Sequence, residues 1–462
     1  MSQHLFLSIE NLALTEVNLR KICEKSLKVF YENSVYLSLQ NVKLTDQLLE
    51  IICSYLQNGS FLTSVELNLR ENKIGSQGAN TVASLIANLH SVRSVKINFW
   101  QNQIGDKGLQ SFAEKVIQSQ SLEQISLNIE DNQISSEGLQ GFCEILQKME
   151  QLTALSLFIR GNKVDQKGLA SVSKVLKGFK NLTNLKLSMC GISLNQSCLE
   201  EISVNLNNNK LESLNLDLQQ CKIKDGLGSL GKFLASSTNL HGLYLNLERN
   251  AIEQSGVIDF FNPLLINQCN LRTIEINLKA NKIGKEGSIE LSNTIRKLNS
   301  TLNSISLALS KIECADMVNI IESITNATQL QQLCLILRSQ EFRQELIQAL
   351  GKILSEPEAL TNIKLDLRGQ TQLTTELFQE WIPYFNNLKP NLKSLNLDFS
   401  QTELQYEEIF ELAELILEQQ NLHTFVYYHD CGYIQEEIKQ SALKNKNLIY
   451  FELTSKDDDL LF

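Results

Sequence analysis

Apolar residues recur along this chain in a phrase of about thirty residues. From Leu62 it reads LTSVELNLRENKIGSQG, and thirty residues on VRSVKINFWQNQIGDKG, then LEQISLNIEDNQISSEG and LTALSLFIRGNKVDQKG. The phrase returns as LHGLYLNLERNAIEQSG from Leu240 and LRTIEINLKANKIGKEG from Leu271. Its central apolar residue appears as Leu7, Leu37, Leu67, Ile97, Leu127, Leu157, Leu187, Leu216, Leu245, Ile276, Leu307, Leu335, Leu365 and Leu397, at spacings of 28 to 32, with weaker echoes at Phe425–Tyr427 and Phe451–Leu453. Within a unit, Val65, Leu67 and Leu69 alternate with polar residues, and a period of two predicts a strand with one buried face. A turn, N-x-I-G, follows. Val82, Ala83, Leu85, Ile86 and Leu89 then fall at helical spacing.

Strand, turn and helix repeated through short connections predict an α/β solenoid of about fifteen units, each contacting its neighbours. Parallel strands form one side and helices the other. Because helices are wider than strands, the stack is expected to curve into a horseshoe with the sheet on the concave face and the helices on the convex face. At about 4.8 Å per strand the inner arc is on the order of 70 Å, the scale of a protein surface rather than of a small-molecule pocket. The expected organisation is one domain over 1–462, with regular repeats over 1–330 and degenerate repeats plus an acidic C-terminal cap over 331–462.

The helix carries a second register. Positions 23, 53, 83, 113 and 143 are Cys, Cys, Ala, Ala and Cys, a small residue wherever helix and sheet must approach closely. This predicts that most of the ten cysteines are core residues rather than ligands. Gly78 recurs as Gly108, Gly138, Gly168, Gly256 and Gly287. A phosphate cradle would occur once, so these are turn glycines at the start of each helix.

The phrase L-xx-L-x-L-xx-N-x-I-G-xx-G-xxx-L resembles the ribonuclease-inhibitor-like subfamily of leucine-rich repeats. The resemblance covers nearly the whole chain. It implies a role in binding proteins, as in ribonuclease inhibitors and the sensor regions of NOD-like receptors, or in regulating an enzyme, as in the Ran GTPase-activating protein. In such repeats the turn asparagine satisfies backbone groups of the neighbouring turn; the matching residues are Asn72, Asn102, Asn132, Asn162, Asn250 and Asn281, with Cys221 and Cys190 in that place elsewhere. Most units carry two extra strand residues, L-xx-L-x-L-x-L-xx-N, which resembles repeats abundant in ciliated protists. Two units, near Leu187 and Leu307, read as the shorter strand. From about Leu330, Gln340, Gln370 and Thr402 stand where Asn is expected. This irregular zone is either drift or a docking surface.

Charge narrows the partners. The net charge is -10, whereas nucleic-acid recognition needs a basic footprint. From Glu403 onward there are 13 Asp/Glu against four Lys and no Arg, an acidic end that reads either as a soluble cap or as a surface for a basic partner. No CxxC pair occurs, which fits a reducing compartment. The first residues, MSQHLFLSIENLALTEVN, lack a basic start followed by a long apolar run. No apolar stretch reaches the roughly 18 residues of a membrane helix. The expectation is a cytoplasmic protein, free or in a large assembly such as the cilium or cytoskeleton, with a protein partner, no nucleic acid and no membrane insertion.

Catalysis finds little support. Neither GxxxxGK[ST], a kinase-type catalytic loop nor HExxH occurs, and His4, His90, His241, His423 and His429 are scattered. The run His429, Asp430, Cys431 is the nearest to a constellation, but adjacent residues of an extended chain point apart, and nucleophile and base must converge. No enzyme activity, cofactor or metal is expected. Binding then falls to residues between the buried strand positions. Their middle column reads Asn68, Asn98, Asn128, Phe158, Ser188, Asp217, Asn246, Asn277, Ala308, Ile336, Asp366 and Asp398, whose amides either hydrogen-bond along the sheet or face a partner. The next column begins Arg70, Trp100, Glu130, Arg160. Exposed Trp and Arg are enriched in binding hot spots, so Arg70, Trp100, Phe158 and Arg160 form the first candidate partner site. A basic cluster of Arg338, Lys364 and Arg368 is the second, suited to an acidic partner or to the chain's own acidic end.

Overall fold

The structure, a computed structural model, describes residues 4–27, 33–206, 210–224, 226–267, 269–338, 340–370, 372–404, 406–419, 421–428, 442, 445, 447–448 and 450–454. The run His429, Asp430, Cys431 and the terminal KDDDLLF lie outside the described residues. The chain divides into two compact units, Met1–Phe233 and Leu234–Phe462.

The first unit alternates strands β1 (His4–Ser8), β2 (Ser34–Ser38), β3 (Ser64–Asn68), β4 (Ser94–Asn98), β5 (Gln124–Asn128), β6 (Ala154–Phe158), β7 (Asn184–Ser188) and β8 (Ser213–Asp217) with helices α1 (Glu16–Ser26), α2 (Asp46–Leu56), α3 (Ser76–Asn88), α4 (Gly105–Val116), α5 (Ser136–Leu146), α6 (Gln166–Gly178) and α7 (Gln196–Asn205). Helix α8 (Leu227–Ser236) contains the boundary. The second unit alternates β9 (Gly242–Asn246), β10 (Thr273–Asn277), β11 (Ser304–Ser310), β12 (Gln332–Arg338), β13 (Asn362–Asp366), β14 (Ser394–Asp398), β15 (Thr424–Tyr428) and β16 (Tyr450–Thr454) with α9 (Gln254–Ile266), α10 (Gly284–Leu298), α11 (Cys314–Thr325), α12 (Gln344–Ser355), α13 (Thr375–Phe385) and α14 (Tyr406–Leu417).

In each unit the strands pair in parallel with their neighbours in chain order, and equivalent residues stand side by side: Val35, Val65, Val95 and Ile125 in the first unit, Ile363 and Leu395 in the second. The period-two pattern is the cause. Val65, Leu67 and Leu69 turn to the helices and are buried, as are Val82, Ala83, Leu85 and Ile86 on α3. Cys23, Cys53, Ala83, Ala113 and Cys143 are all buried at this junction. Burial pushes the Cys23 thiol up to about 11 and those of Cys53 and Cys143 up to about 12, so they behave as small core residues. Gly78 shows what the recurring glycine does: a Cβ there would collide with Ile74 and the Asp46 carboxylate of the preceding repeat.

The turn asparagines form the expected ladder. Asn72 Oδ1 accepts from the Val42 and Leu44 amides at 3.1 and 2.9 Å, and its Nδ2 donates to the carbonyls of Leu39, Leu69 and Arg70 at 2.7–3.0 Å. Asn102, Asn132, Asn162 and Asn281 repeat the arrangement. The ladder does not stop at Leu330. Gln340 Oε1 accepts from the Ile312 amide at 3.0 Å, Gln370 Oε1 accepts from the Gln340 amide at 3.3 Å, and Gln370 Nε2 donates to the Leu337 carbonyl. Gln370 thus supplies both donor and acceptor, whereas Gln340 supplies the acceptor and its Nε2 is buried without a hydrogen-bond partner. Thr402 Oγ1 donates to the Phe399 carbonyl at 2.8 Å, and Cys221 Sγ donates to the Met189 and Gln219 carbonyls at 3.1 and 3.5 Å.

The two units read as shortened are not shortened. Among the described residues a positive φ recurs four places after the central apolar residue, as at Glu71, Gln101, Asp131, Gly161, Gly191, Gln220 and Lys311. Cys190 therefore precedes the turn, in the column of Arg70 and Trp100, and the buried Ile192 occupies the ladder position. The strand near Leu307, β11, is a long one of seven residues.

In several repeats the middle-column side chain caps the turn that follows. Asn98 Oδ1 accepts from the Trp100 amide at 3.0 Å, Asn128 Oδ1 from Glu130 at 2.9 Å, Asn277 Oδ1 from Lys279 at 3.1 Å, and Asp366 Oδ1 from Arg368 at 3.2 Å. Such a side chain caps the backbone two residues on. Ala308 and Ile336 carry no acceptor, and there β11 and β12 stay paired two residues further, to Ser310 and Arg338.

Candidate interaction face

Side chains at the alternate strand positions, opposite the helices, form an open face on each unit. On the first unit, the middle column binds itself laterally: Asn98 Nδ2 donates to Asn68 Oδ1, Asn68 Nδ2 to Ser38 Oγ, and Ser38 Oγ to Glu10 Oε1, at 3.0–3.1 Å. With their capping bonds these amides are engaged by the sheet.

The aromatic patch resolves into parts. The Arg70 guanidinium lies over the Trp100 ring, 5.4 Å from its centroid, close enough for a cation–π contact. Trp100 Nε1 donates to Asp131 Oδ2 at 2.8 Å, so the half-exposed indole is held from two neighbouring repeats. Gly161 makes room for this. Its φ is +71°, and a Cβ there would collide with the Asp131 carboxylate. Phe158 is half-buried, two strands away, with Lys186 Nζ 5.1 Å above its ring. Arg160 is exposed. Between Trp100 and Arg160 in this column lies Glu130, whose carboxyl burial pushes up, opposed by its bond from Asn128 and by the Arg160 charge. Arg70 and Trp100 are thus joined, while Phe158 pairs with Lys186. Asp131 and Lys186 were missed in the sequence. They follow only once the thirty-residue register is laid strand against strand.

The second candidate is a mixed-charge network. Arg338 Nη2 and Arg368 Nη2 reach Asp366 Oδ2 at 3.0 and 2.9 Å, and Arg368 Nε reaches Asp398 Oδ2 at 3.0 Å. Asp366 and Asp398 stand side by side on β13 and β14 and are buried. Burial pushes Asp366 up to about 6 despite Arg338, with the Asp398 charge adding to the rise, and burial likewise raises Asp398. Lys364 lies half-buried on the same face of β13. Among the described residues it has no carboxylate oxygen within ion-pair distance, although its charge opposes the rise at Asp366 and Asp398. The signal for the two acids was in the middle column, but an alternating strand also brings Lys364, Asp366 and Arg368 onto one face.

Among the described residues no group of three or more His, Cys, Asp or Glu side chains could hold a metal ion. None of their helices is long and apolar enough to cross a membrane.

The Leucine Rich repeat family is matched at residues 125–143, which cover most of β5, the turn and the greater part of α5. Among solved structures, a chain of the crystal structure of the Rad7 and Elc1 complex in yeast is similar, at 16% identity and a TM-score of 0.48, over 90% of this chain and 84% of that one. No curated protein matches the sequence. The in-register parallel strands, the strand–turn–helix unit and the side-chain ladder define an α/β leucine-rich-repeat solenoid.

Proposed function

We propose that this chain is a non-catalytic interaction scaffold or adaptor that holds a protein partner on the open face of its sheet, alone or as a subunit of a larger assembly. The observation that carries the reading is the Arg70–Trp100–Asp131 arrangement, a large aromatic side chain kept at the surface in one orientation. Immobilising a side chain on binding costs roughly 0.5–1.5 kcal/mol, and this indole is already fixed. Phe158 and Arg160 extend the patch. A ribonuclease-inhibitor-like repeat is supported by the full helices, 10 to 15 residues long.

The test is affinity capture with mass spectrometry, comparing the wild-type chain with Trp100→Ala. Truncating an aromatic hot spot costs about 2 kcal/mol or more, so a partner recovered by the wild type is expected to be depleted well over tenfold, with the circular dichroism of the variant unchanged. Repeated capture of no partner, or one held equally by both chains, contradicts the reading of this patch.

A further inference from the structure

The open face of the second unit carries a groove of about 560 Å³ that crosses β10 to β14. At its middle Cys334, Lys364 and Asn396 stand side by side on three adjacent strands. One group there has an unmet demand. The Lys364 ammonium lies beyond ion-pair distance of any carboxylate among the described residues, while Asp366 and Asp398 are held by Arg338 and Arg368. An occupant that brings an anion to the ammonium would complete it.

A peptide with an acidic side chain supplies that anion. Glu275 lines the β10 end of the groove. Five strands about 4.8 Å apart span roughly 19 Å, the length of about six extended residues. We propose that this groove seats an extended segment of the protein partner, about six residues long, with one Asp or Glu side chain on the Lys364 ammonium. The proposal rests on the reading of the open face as the partner surface and adds the chemistry of what it reads.

The test pans a displayed library of random twelve-residue peptides against the full chain. The selected peptides are expected to share one Asp or Glu at a fixed place. Exchange of that residue for its amide, or Lys364→Met in the protein, should weaken binding about tenfold, the worth of one charge-assisted contact, while Lys364→Arg retains it. Cys334, half-exposed beside Lys364, supplies a readout independent of affinity, since a seated peptide should slow its alkylation by a maleimide, followed by peptide mapping. Selected peptides without a carboxylate, binding indifferent to Lys364→Met, unprotected Cys334, or a library that enriches nothing over the Lys364→Met chain would each overturn the proposal. A captured partner that tolerates Lys364→Met but is lost with Trp100→Ala refutes the groove alone, and capture of no partner refutes the wider reading.

Discussion

Asn132 has no exposed surface, yet its side chain serves three backbone groups: it accepts from the Ile104 amide at 3.2 Å and donates to the Phe99 and Glu130 carbonyls at 2.8 Å. A turn packed between two other turns cannot turn these groups to water, so the amide is part of the backbone's hydrogen-bond accounting. Asn132→Ala leaves at least two of them buried and unmet, at roughly 1–3 kcal/mol each. The expected loss in the first unit is about 3 kcal/mol, measured by urea unfolding, and a loss under about 1 kcal/mol would show that water enters the turn. The ladder was legible wherever it was written in asparagine. It was illegible at Gln340 and Gln370, because a motif is matched by residue letter whereas a longer amide can also reach the neighbouring turn, with both donor and acceptor at Gln370 and the acceptor alone at Gln340. The second half thus reads as more degenerate than its hydrogen bonds are.

Strand and turn together decide what the open face can present. The alternation of Leu and polar residues fixed strand direction and register for nearly every unit, and the structure pairs them as that pattern requires. Strand length was less legible: an Asn or Asp in the middle column caps the backbone two places on, and β11 and β12 pair two residues further at Ala308 and Ile336, yet β6 ends at Phe158, which carries no acceptor either. The exposed aromatic was legible as a residue but not as an assembly, since Asp131 lies 31 positions after Trp100 and meets it across a neighbouring turn. Gly161 is the test of that assembly. An alanine there would be held at positive φ, at a cost of roughly 1–2 kcal/mol, and its Cβ would displace the Asp131 carboxylate. Gly161→Ala is therefore expected both to lower stability and to free the indole. Trp381, the other tryptophan, is fully buried, so acrylamide quenching of the folded protein reports Trp100. Increased quenching is expected, and unchanged quenching would mean that Asp131 does not hold the ring.

Across the whole molecule the acid excess misleads about where charge matters. The residues before Glu403 sum to near neutrality, yet two carboxylates of the second unit, Asp366 and Asp398, are buried side by side with two guanidiniums around them. Sequence reading found the three basic residues and missed that two are spoken for, because neutralisation depends on which strands adjoin. The consequence is a pH dependence whose sign runs against the usual carboxylate. An acid whose folded value lies below its unfolded one stabilises at neutral pH and loses that contribution on acidification. Asp366 is raised, from 3.8 to about 6, so the folded state binds its proton more tightly than the unfolded chain does. Its contribution is fully present below about 3.8 and is lost as pH rises to about 6, on the order of 2–3 kcal/mol at 1.36 kcal/mol per unit. Other groups titrate in the same window, so the informative quantity is the difference between the wild type and Asp366→Asn, which stays neutral at every pH. Urea unfolding of both chains from pH 4 to pH 7 should show the wild type losing stability relative to the variant as pH rises, with the change concentrated between about pH 4 and pH 6. A flat difference would mean that Arg338 and Arg368 fully offset the cost of burying the charge, and a difference of opposite slope would mean that they hold the carboxylate ionised well into acid.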